Sequence, residues 1–379
     1  MGIDGLPRTA STRTRRIMHV DFDYFFAQCE EIRRPELRDR PIAVCVFSGR
    51  TEDSGVVSTA NYVARKFGVR SGIPIKVAKS RLATVSGAVL LPLDAAYYRQ
   101  VSQTAMSIIR LYADRFECVG IDECYVDVSD STDDFEMTRI LAHQIKEDMR
   151  KQIHLTCSVG VASNKILAKI ASDVSKPDGL TVIEPGNAMK FIANMEVEKI
   201  PGVGPKTRDS LHELGVTTIG ELAKFNIFLL IERFGKKTAT YMYNAANAIH
   251  NDRVMEFNER HRIMRIATLK SNAISSPEMN PDLYVLCRSI FNKASQRKLS
   301  FKTVGILLIL ENLDMITRSR SLKVHSRNFE SLYSVAKSIL DDVMKEAGSI
   351  KVRRLGLVLS DLQSNTGQNT MFDFMNSTS

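Results

Sequence analysis

The order of strand and helix signals in the last third of the chain constrains the fold most. Alternating apolar residues predict strands, whereas an apolar period near 3.6 residues predicts helices. In residues 261–361 the predicted order is β-α-β-β-α-β, the split βαβ arrangement. The segments are strand 262–269, helix 281–298, strands 303–311 and 316–324, helix 329–347 and strand 351–359. A separate α/β domain therefore lies near the end of the chain.

The preceding residues predict at least one more domain, because 379 residues exceed a single ordinary core. Strand and helix signals alternate over residues 17–180, which indicates a mixed α/β domain. The predicted elements are a strand from 17 that turns before 26, strands 40–47 and 154–162, and helices 58–68, 94–113, 133–151 and 163–175. Residues 185–250 are mainly helical in pattern, and 251–260 have the character of a linker.

Composition narrows the class of partner. The formal net charge is +9, and residues 251–361 hold 19 Lys and Arg against 12 Asp and Glu. This surplus favours a polyanionic partner such as nucleic acid, although a basic protein without such a partner is also compatible. Six cysteines without a C-x-x-C pair argue against a zinc or disulfide framework and suit a reducing, cytoplasmic setting. No apolar run predicts a membrane span or a signal peptide.

Two adjacent acids, Asp122 and Glu123, interrupt the strand-like stretch 118–130. Neighbouring side chains of a flat strand point to opposite faces, so both could serve one site only at a bend or strand end. Gly120 supplies such a bend. In the first strand, Asp21 and Asp23 stand two apart and would share a face if the strand continued that far.

Carboxylates among apolar strand residues are costly to desolvate unless something compensates them. A divalent cation is one solution, and oxygen-rich sites select Mg²⁺ or Mn²⁺. Two strands that bring acids to one edge could hold two metal ions for phosphoryl transfer. The alternative is that these acids cap turns or pair with lysines at the sheet surface.

Four motifs carry a resemblance to a known family. They are VDFDYFFAQCEE (20–31), STANYVARKFGVRSGIPI (58–75), GIDECYVDVSD (120–130) and SVGVASNKILAKIASDVSKPDG (158–179). In order and spacing they resemble the Y-family translesion DNA polymerases, of the archaeal and bacterial DNA polymerase IV type. The resemblance covers residues 17–361.

The resemblance implies a right-hand polymerase with a mixed α/β palm, small fingers, a helical thumb and a β-α-β-β-α-β little finger. The implied boundaries are palm 17–32 and 95–184, fingers 33–94, thumb 185–250, linker 251–260, little finger 261–361 and tail 362–379. A basic extension, residues 1–16, lies outside the match.

The resemblance also implies the catalytic centre. Asp21, Asp122 and Glu123 would bind two Mg²⁺ ions, or Mn²⁺, with the carbonyl oxygen of Phe22. The resemblance gives Asp23 no role in metal binding, although its spacing from Asp21 alone would allow one. Phe26 would be the steric gate that excludes a ribose 2′-hydroxyl.

Further positions would contact the incoming nucleotide. Tyr62 and Arg65, three apart on a helix, would hold the triphosphate together with Thr59 and Lys176. Without the motifs, Arg65 and Lys176 would be ordinary solvated surface charges. The implied small-residue roof over the nascent base pair is Val56, Ser58 and Gly72.

The segment IPGVGPKTRD, within 200–216, resembles a helix-hairpin-helix, in which Gly202, Gly204 and Lys206 would bind a DNA phosphate. A glycine-capped turn between two helices is the alternative.

In the last domain, Arg318 and Arg320 share one strand face, and another strand carries Lys351, Arg353 and Arg354. Basic residues on an exposed sheet face would track the DNA backbone. Charges that protect a sheet edge are the alternative.

The tail QNTMFDFM (368–375) resembles a sliding-clamp peptide. Gln368, Met371 and Phe374 fit the archaeal and eukaryotic clamp pattern, whereas Gln368, Met371 and Phe372 fit the bacterial one. Where a second aromatic residue is common after Phe374, this chain has Met375.

The sequence thus predicts a template-directed DNA polymerase for low-fidelity translesion synthesis without a proofreading exonuclease. Its expected partners are primer–template DNA, deoxynucleoside triphosphates and a clamp; it would act as a cytoplasmic monomer. The alternatives are another two-metal enzyme such as a nuclease, or a non-catalytic DNA-binding scaffold. The chain departs from the family pattern at Gly120 and Cys124, where Ser and Ala are usual.

Overall fold

The computed structural model describes residues 14–256 and 262–364. They form two compact units, one built from residues 14–46 and 56–256 and the other from 47–55 and 262–364. The strands before residue 257 are β1 Ile17–Phe22, β2 Ile42–Phe47, β3 Gly55–Ala60, β4 Val89–Pro92, β5 Arg115–Cys118, β6 Glu123–Asp127, β7 Cys157–Ala162 and β8 Leu180–Val182.

Eleven α-helices accompany these strands within residues 14–256. They are α1 Phe25–Arg33, α2 Tyr62–Arg65, α3 Ile75–Leu82, α4 Ala95–Arg110, α5 Phe135–Ile153, α6 Lys165–Val174, α7 Ala188–Ile192, α8 Pro205–Glu213, α9 Ile219–Lys224, α10 Ile227–Phe234 and α11 Lys236–Ala246. Short 3-10 helices lie at Pro35–Leu37, Pro185–Asn187 and Val197–Lys199.

A mixed sheet forms the centre of the first unit. Within residues 14–256 its five strands run in the order β5-β6-β1-β7-β8, and β1 is antiparallel to both neighbours. One face packs α4 and α5 through buried residues such as Val20 and Val126. The other face packs α6, with Ile17 and Tyr125 in the contact. Of the catalytic acids predicted above, Asp21 and Glu123 lie on the adjacent strands β1 and β6, and Asp122 immediately precedes β6.

The smaller sheet of this unit, in the order β3-β2-β4, belongs to the predicted fingers. The predicted helix 58–68 is wrong at its start, because Ser58–Ala60 belong to strand β3. Asn61 then caps α2 by accepting from the Ala64 N–H. The strand prevails over the local helical pattern because Val57 and Ala60 are buried in the core of this sheet.

The chain between 248 and 256 lies on the palm. The Arg15 guanidinium donates to the carbonyl oxygens of His250 (2.8 Å) and Asp252 (2.9 Å). The Met255 N–H donates to Oε2 of Glu117 at 2.9 Å. The first half of the predicted linker is therefore attached to the first unit.

The second unit has the predicted β-α-β-β-α-β order. Its elements are β9 Arg262–Ala273, α12 Ser276–Gln296, β10 Leu299–Leu310, β11 Met315–Ser326, α13 Phe329–Ala347 and β12 Val352–Ser364. Within residues 262–364 the strand order is β11-β10-β12-β9, all antiparallel. Helix α12 begins five residues before the predicted 281, with Pro277 in its first turn and Pro281 inside it.

The two helices cover one face of this sheet. Val304 and Ile306 of β10 are buried against them and pair in register with Arg320 and Arg318 of β11. Directly opposite residues of antiparallel strands share a face. Arg318 and Arg320 therefore lie on one face, as predicted, but it is the face that carries the helices.

Among the helices of the described ranges, none combines the length and apolar character that a membrane span requires. The clamp-type peptide with Gln368, Met371, Phe372 and Phe374 lies outside the described residues, as does most of the extension 1–16.

Candidate active site

The acidic site is built by strand pairing. Asp21, near the end of β1, is directly opposite Glu123, the first residue of β6. Asp122 lies in the hairpin between β5 and β6, and its carbonyl oxygen accepts from the Phe22 N–H at 2.8 Å. The predicted bend is therefore present and brings Asp122 and Glu123 to the same sheet edge as Asp21.

A histidine outside the predicted site joins Asp21 and Glu123, and these three residues, without Asp122, form the compact donor cluster of the described ranges. His19 is fully buried, with Nε2 3.3 Å from Oε2 of Glu123 and Nδ1 2.8 Å from Oγ of Ser172. One potential ligand atom from each of His19, Asp21 and Glu123 lies within 4.8 Å of the others. The sequence contains a signal for His19, because residues two apart on a strand share a face and His19 stands two residues before Asp21.

Lysines from α6 and the loop after it face these acids. Lys176 Nζ lies 2.8 Å from Oδ1 of Asp21 and 2.8 Å from Oδ1 of Asp173. Lys169 Nζ donates to Oε2 of Glu123. The acids therefore pair with lysines, as one of the two interpretations of the sequence predicts, and they also form the acidic cluster.

The electrostatics differ among the three acids. A hydrogen bond from His19 lowers the pKa of Glu123, and Lys169 lowers it further. Burial acts in the opposite direction, but the pKa still falls to about 2. Burial raises the pKa of Asp21 and of Asp122, and the charge of Glu123 raises that of Asp122 further. Burial alone would lower the pKa of Lys176. The negative charges of Asp21 and Asp173 together have a larger effect, so the pKa of Lys176 is raised. Asp21 and Asp122 thus occupy positions where more positive charge would stabilise their ionised forms.

This donor set fits a divalent cation. Asp21, Asp122 and Glu123 offer carboxylate oxygens, the ligands that Mg²⁺ and Mn²⁺ prefer. Burial of the two aspartates leaves their charge poorly solvated, and a bound cation compensates such a charge. The observation that carries the fit is the strand register, which places Asp21 opposite Glu123 and joins Asp122 to Phe22 through a backbone hydrogen bond, so three carboxylates meet at one end of β1.

The Phe26 side chain, in the first turn of α1, is held by neighbouring aromatic rings. The Phe26 ring stacks on Tyr98 with centroids 4.7 Å apart and planes 18° from parallel. Tyr98 is fully buried and donates to Oε1 of Glu30 at 2.7 Å. The predicted steric gate therefore rests on a fixed ring, as a barrier to a bulky sugar requires.

The predicted triphosphate contacts lie on β3 and α2. The Arg65 guanidinium carbon is 4.5 Å from the centre of the Tyr62 ring, and Nε donates to the carbonyl of Ala60 at 2.9 Å. Thr59 is half-buried on β3. Tyr62 and Arg65 are in contact, so the expectation that they share a helix face is confirmed.

Of the predicted roof residues, Val56 and Ser58 lie on β3, and Gly72 lies in the turn between α2 and α3. Val56 is exposed and bridges to Pro74, and the Gly72 N–H donates to the Val57 carbonyl oxygen at 2.9 Å. Gly72 has φ +89°, which favours glycine, and a Cβ there would meet nothing within 4 Å. Val56 and Gly72 are thus exposed on this surface, and Ser58 is half-buried.

The departure at Gly120 has a steric consequence. A Cβ at this position would lie 3.2 Å from Oδ1 of Asp122 and 3.2 Å from Cγ of Glu123. The acids therefore approach the Gly120 backbone closely. Cys124 is fully buried in the sheet core, so its thiol acts as a small apolar side chain.

The predicted thumb site surrounds the start of α8. Gly202 has φ +89°, Gly204 is the N-cap residue, and Lys206 is exposed in the first turn. The predicted glycine turn and the helix that follows it are present, whereas the element before the turn is the three-residue 3-10 helix Val197–Lys199, which ends before the predicted residue 200.

Three of the four basic residues assigned above to DNA contacts in the second unit pair with acids. Arg320 is 2.9 Å from Asp342, and Arg318 is 3.4 Å from Glu346, both on α13. Lys351 lies 3.5 Å from Glu311, and Arg353 is half-buried on β12. Arg318 and Arg320 lie on the face that carries the helices, yet their side chains are 57% and 48% exposed, so their contact with DNA stays a prediction.

Comparison with known proteins agrees with this geometry. The profile of the impB/mucB/samB family matches residues 20–173, and the profile of its C-terminal domain matches 260–371. A DNA polymerase-iota thumb domain profile matches 198–249. DNA polymerase IV of Nitrosopumilus maritimus (strain SCM1) is 40% identical over 356 residues, which are 94% of this chain and 98% of that protein. The chain belongs to the Y family of DNA polymerases.

Other relatives and solved structures extend this result. DNA polymerase IV of Saccharolobus solfataricus (strain P2) is 35% identical over 94% of this chain and 99% of that protein. A Y-family DNA polymerase chimera of Dbh and Dpo4 superposes with a TM-score of 0.85 at 34% identity. An insertion ternary complex of Dbh DNA polymerase has a TM-score of 0.67 at 33% identity. In both comparisons the superposed region covers 92% of this chain and 100% of the other chain.

Proposed function

We propose that this Y-family chain is a template-directed DNA polymerase that adds deoxynucleotides to a primer 3′-hydroxyl. Its specialised task is low-fidelity synthesis past damaged bases, without a proofreading exonuclease. The pairing of Asp21 opposite Glu123, with Asp122 in the adjoining hairpin, carries this proposal. The reaction is in-line attack of the primer hydroxyl on the α-phosphate of the nucleotide.

Asp21, Asp122, Glu123 and the carbonyl oxygen of Phe22 would hold two Mg²⁺ ions, for which Mn²⁺ is the expected substitute. When bound, these ions lower the pKa of the primer hydroxyl and neutralise charge on the triphosphate. Lys169 and His19 fix the carboxylate of Glu123 through direct contacts. The chain thereby keeps this acid ionised and oriented before the substrate arrives.

The nucleotide is held by the triphosphate contacts defined above, which are Thr59, Tyr62, Arg65 and Lys176. Lys176 exchanges its contact with Asp21 for phosphate oxygens. Phe26, supported by Tyr98, excludes a ribose 2′-hydroxyl because its ring occupies the space beneath the sugar. The small-residue roof of Val56, Ser58 and Gly72 leaves room for a damaged base, which lowers the geometric check on pairing.

Duplex DNA is held by residues that read phosphates, not sequence. These are Gly202, Gly204 and Lys206 in the thumb, and Arg318, Arg320, Lys351 and Arg353 in the little finger.

The domain boundaries given in the sequence analysis belong to this proposal. So do a sliding clamp bound by residues 368–375, a monomeric state and a cytoplasmic location.

Primer extension tests the proposal. The intact protein, Glu123→Ala and the control Glu136→Ala are given a defined primer–template, Mg²⁺ and deoxynucleotides. Glu136 is an exposed acid of the same domain, paired only locally with Arg139. Extension by the intact protein and the control, but not by Glu123→Ala, supports the polymerase. DNA hydrolysis without nucleotides would indicate a nuclease, and duplex binding without any reaction would indicate a scaffold.

A further inference from the structure

Asp23 is an acid of the first motif that the polymerase chemistry leaves without a role. It follows the last residue of β1, and only 1% of its surface is exposed. A buried carboxylate is retained at such a position only when hydrogen bonds compensate it. Its partners therefore indicate what it does.

Three donors surround the Asp23 carboxylate. Oδ1 accepts from Oγ of Ser158 at 2.7 Å. Oδ2 accepts from Oγ1 of Thr156 at 3.0 Å and from the backbone N–H of Asp178 at 2.8 Å. The Asp23 main chain is fixed as well, since its carbonyl oxygen accepts from Nε2 of Gln28 at 2.6 Å. The side chain thus connects the end of β1 to the loop between α6 and β8.

The loop between α6 and β8 also forms hydrogen bonds with two basic residues of α5. The buried Lys146 amine lies 2.8 Å from Oδ1 of Asp178 and 3.1 Å from the carbonyl oxygen of Gly179. Arg150 donates to Oδ2 of Asp178 at 2.5 Å. Asp178 is therefore held by its N–H and by its carboxylate, and Asp23 supplies the bond on the side of the active site.

Lys176 stands two residues before Asp178 in the same loop. Its amine reaches Asp21, which stands two residues before Asp23 in the other segment. The bond from Asp178 to Asp23 therefore joins the backbone that carries the lysine to the backbone that carries the catalytic acid. Displacement of this loop would move Lys176 relative to Asp21.

We propose that Asp23 is a positioning residue that sets the Lys176 amine at the triphosphate by fixing the Lys176–Gly179 loop to the end of β1. This inference rests on the proposed function, in which Lys176 contacts the triphosphate. The acid does not itself touch the nucleotide. It acts through the loop, so its loss weakens nucleotide binding more than it slows the chemical step.

The test is a double-mutant cycle of Asp23→Ala and Lys176→Ala. The Kd of a deoxynucleotide is measured with a dideoxy-terminated primer, and KM and kcat are measured by single-nucleotide insertion. Asp23→Ala is expected to raise Kd and KM about tenfold and to change kcat by less than about threefold. In the Lys176→Ala background the same change should have almost no further effect.

Two variants separate positioning from general stability. Asp127→Ala removes another buried carboxylate of the sheet, bonded to Ser129, and should leave nucleotide Kd unchanged at a similar loss of thermal midpoint. Asp23→Asn keeps an oxygen for the Asp178 N–H and should restore most of the affinity. It also provides the test if Asp23→Ala does not fold.

The outcomes distinguish this inference from the function on which it rests. If Lys176→Ala leaves nucleotide Kd unchanged, the proposed role of Lys176 fails, and the positioning role fails with it. If Lys176→Ala weakens binding but Asp23→Ala multiplies that loss independently, the positioning role is overturned and the polymerase assignment stands. An unchanged Kd for Asp23→Ala overturns it as well.

Discussion

The palm and the little finger both place ion pairs between a strand and a helix, but in different surroundings. In the palm, the side chains of Lys165 and Glu117 are 15% and 7% exposed, and their atoms are 2.8 Å apart. In the little finger, those of Arg320 and Asp342 are 48% and 56% exposed at 2.9 Å. Similar distances therefore join groups with very different access to water.

This difference separates two uses of charge. A buried pair is rigid, and removal of one partner leaves the other poorly solvated. An exposed pair contributes little to stability, because water competes with each partner. The buried palm pair accordingly fixes β5 against α6, whereas the little-finger arginines that we assign to DNA could exchange a carboxylate for a phosphate at low cost.

The largest expected effect is on palm stability. Glu117→Gln leaves the Lys165 amine without its counterion and weakens the bond from the Met255 N–H. We expect a loss of about 3 kcal/mol in the free energy of unfolding, the usual consequence of breaking a buried pair. Calorimetry of the intact protein would measure it. Glu346→Gln, which breaks an exposed pair, is the matched control; equal losses would contradict the comparison.

The next effect concerns DNA affinity. Replacing Arg318 and Arg320 together by alanine removes two charges that we assign to the phosphate backbone. The slope of log affinity against log salt should become shallower by about 1.8, and affinity should fall about tenfold at moderate salt. Fluorescence anisotropy of a labelled duplex would measure both. An unchanged slope would show that these arginines stay with α13 when DNA binds.

A smaller effect should follow from removing the acids that pair with these arginines. Asp342→Asn with Glu346→Gln frees Arg320 and Arg318 at little structural cost, so the free energy of unfolding should change by less than about 1 kcal/mol. Duplex affinity at low salt should rise about threefold, because the arginines no longer exchange partners. Weaker binding would mean that the acids orient the arginines for DNA.

A further effect is a change in acid sensitivity. Glu123 has a pKa of about 2 in the folded chain, below its ordinary 4.5, so its contribution to stability is present above pH 4.5 and is lost as pH falls through 2. The difference in thermal midpoint between the intact protein and Glu123→Gln should therefore shrink from neutral pH to about pH 3. A constant difference would argue against the contacts with His19 and Lys169.

Local sequence rules explain why the acidic site could be predicted. Gly120 between apolar residues indicates a bend, and a bend is what lets the adjacent Asp122 and Glu123 serve one edge. The strand rule also places His19 and Asp21 on one face. It does not show that the histidine contacts Glu123, because that contact depends on which strand pairs with β1.

Other features depend on packing that no local pattern contains. Alternation shows that Arg318 and Arg320 share a face, but the position of α13 decides which face it is. Ser58–Ala60 follow a helical pattern, yet pairing within the fingers sheet makes them a strand. The role of Asp23 needs the loop at Asp178, which is distant in sequence and adjacent in space.

The contacts of Arg15 have a practical consequence for protein engineering. Its guanidinium binds main-chain carbonyl groups, so no side-chain exchange at 250–252 can abolish the attachment. Deletion of the first fifteen residues would remove it at once. Truncated or fused versions should therefore retain Arg15 if the segment that leads out of the thumb is to keep its place on the palm.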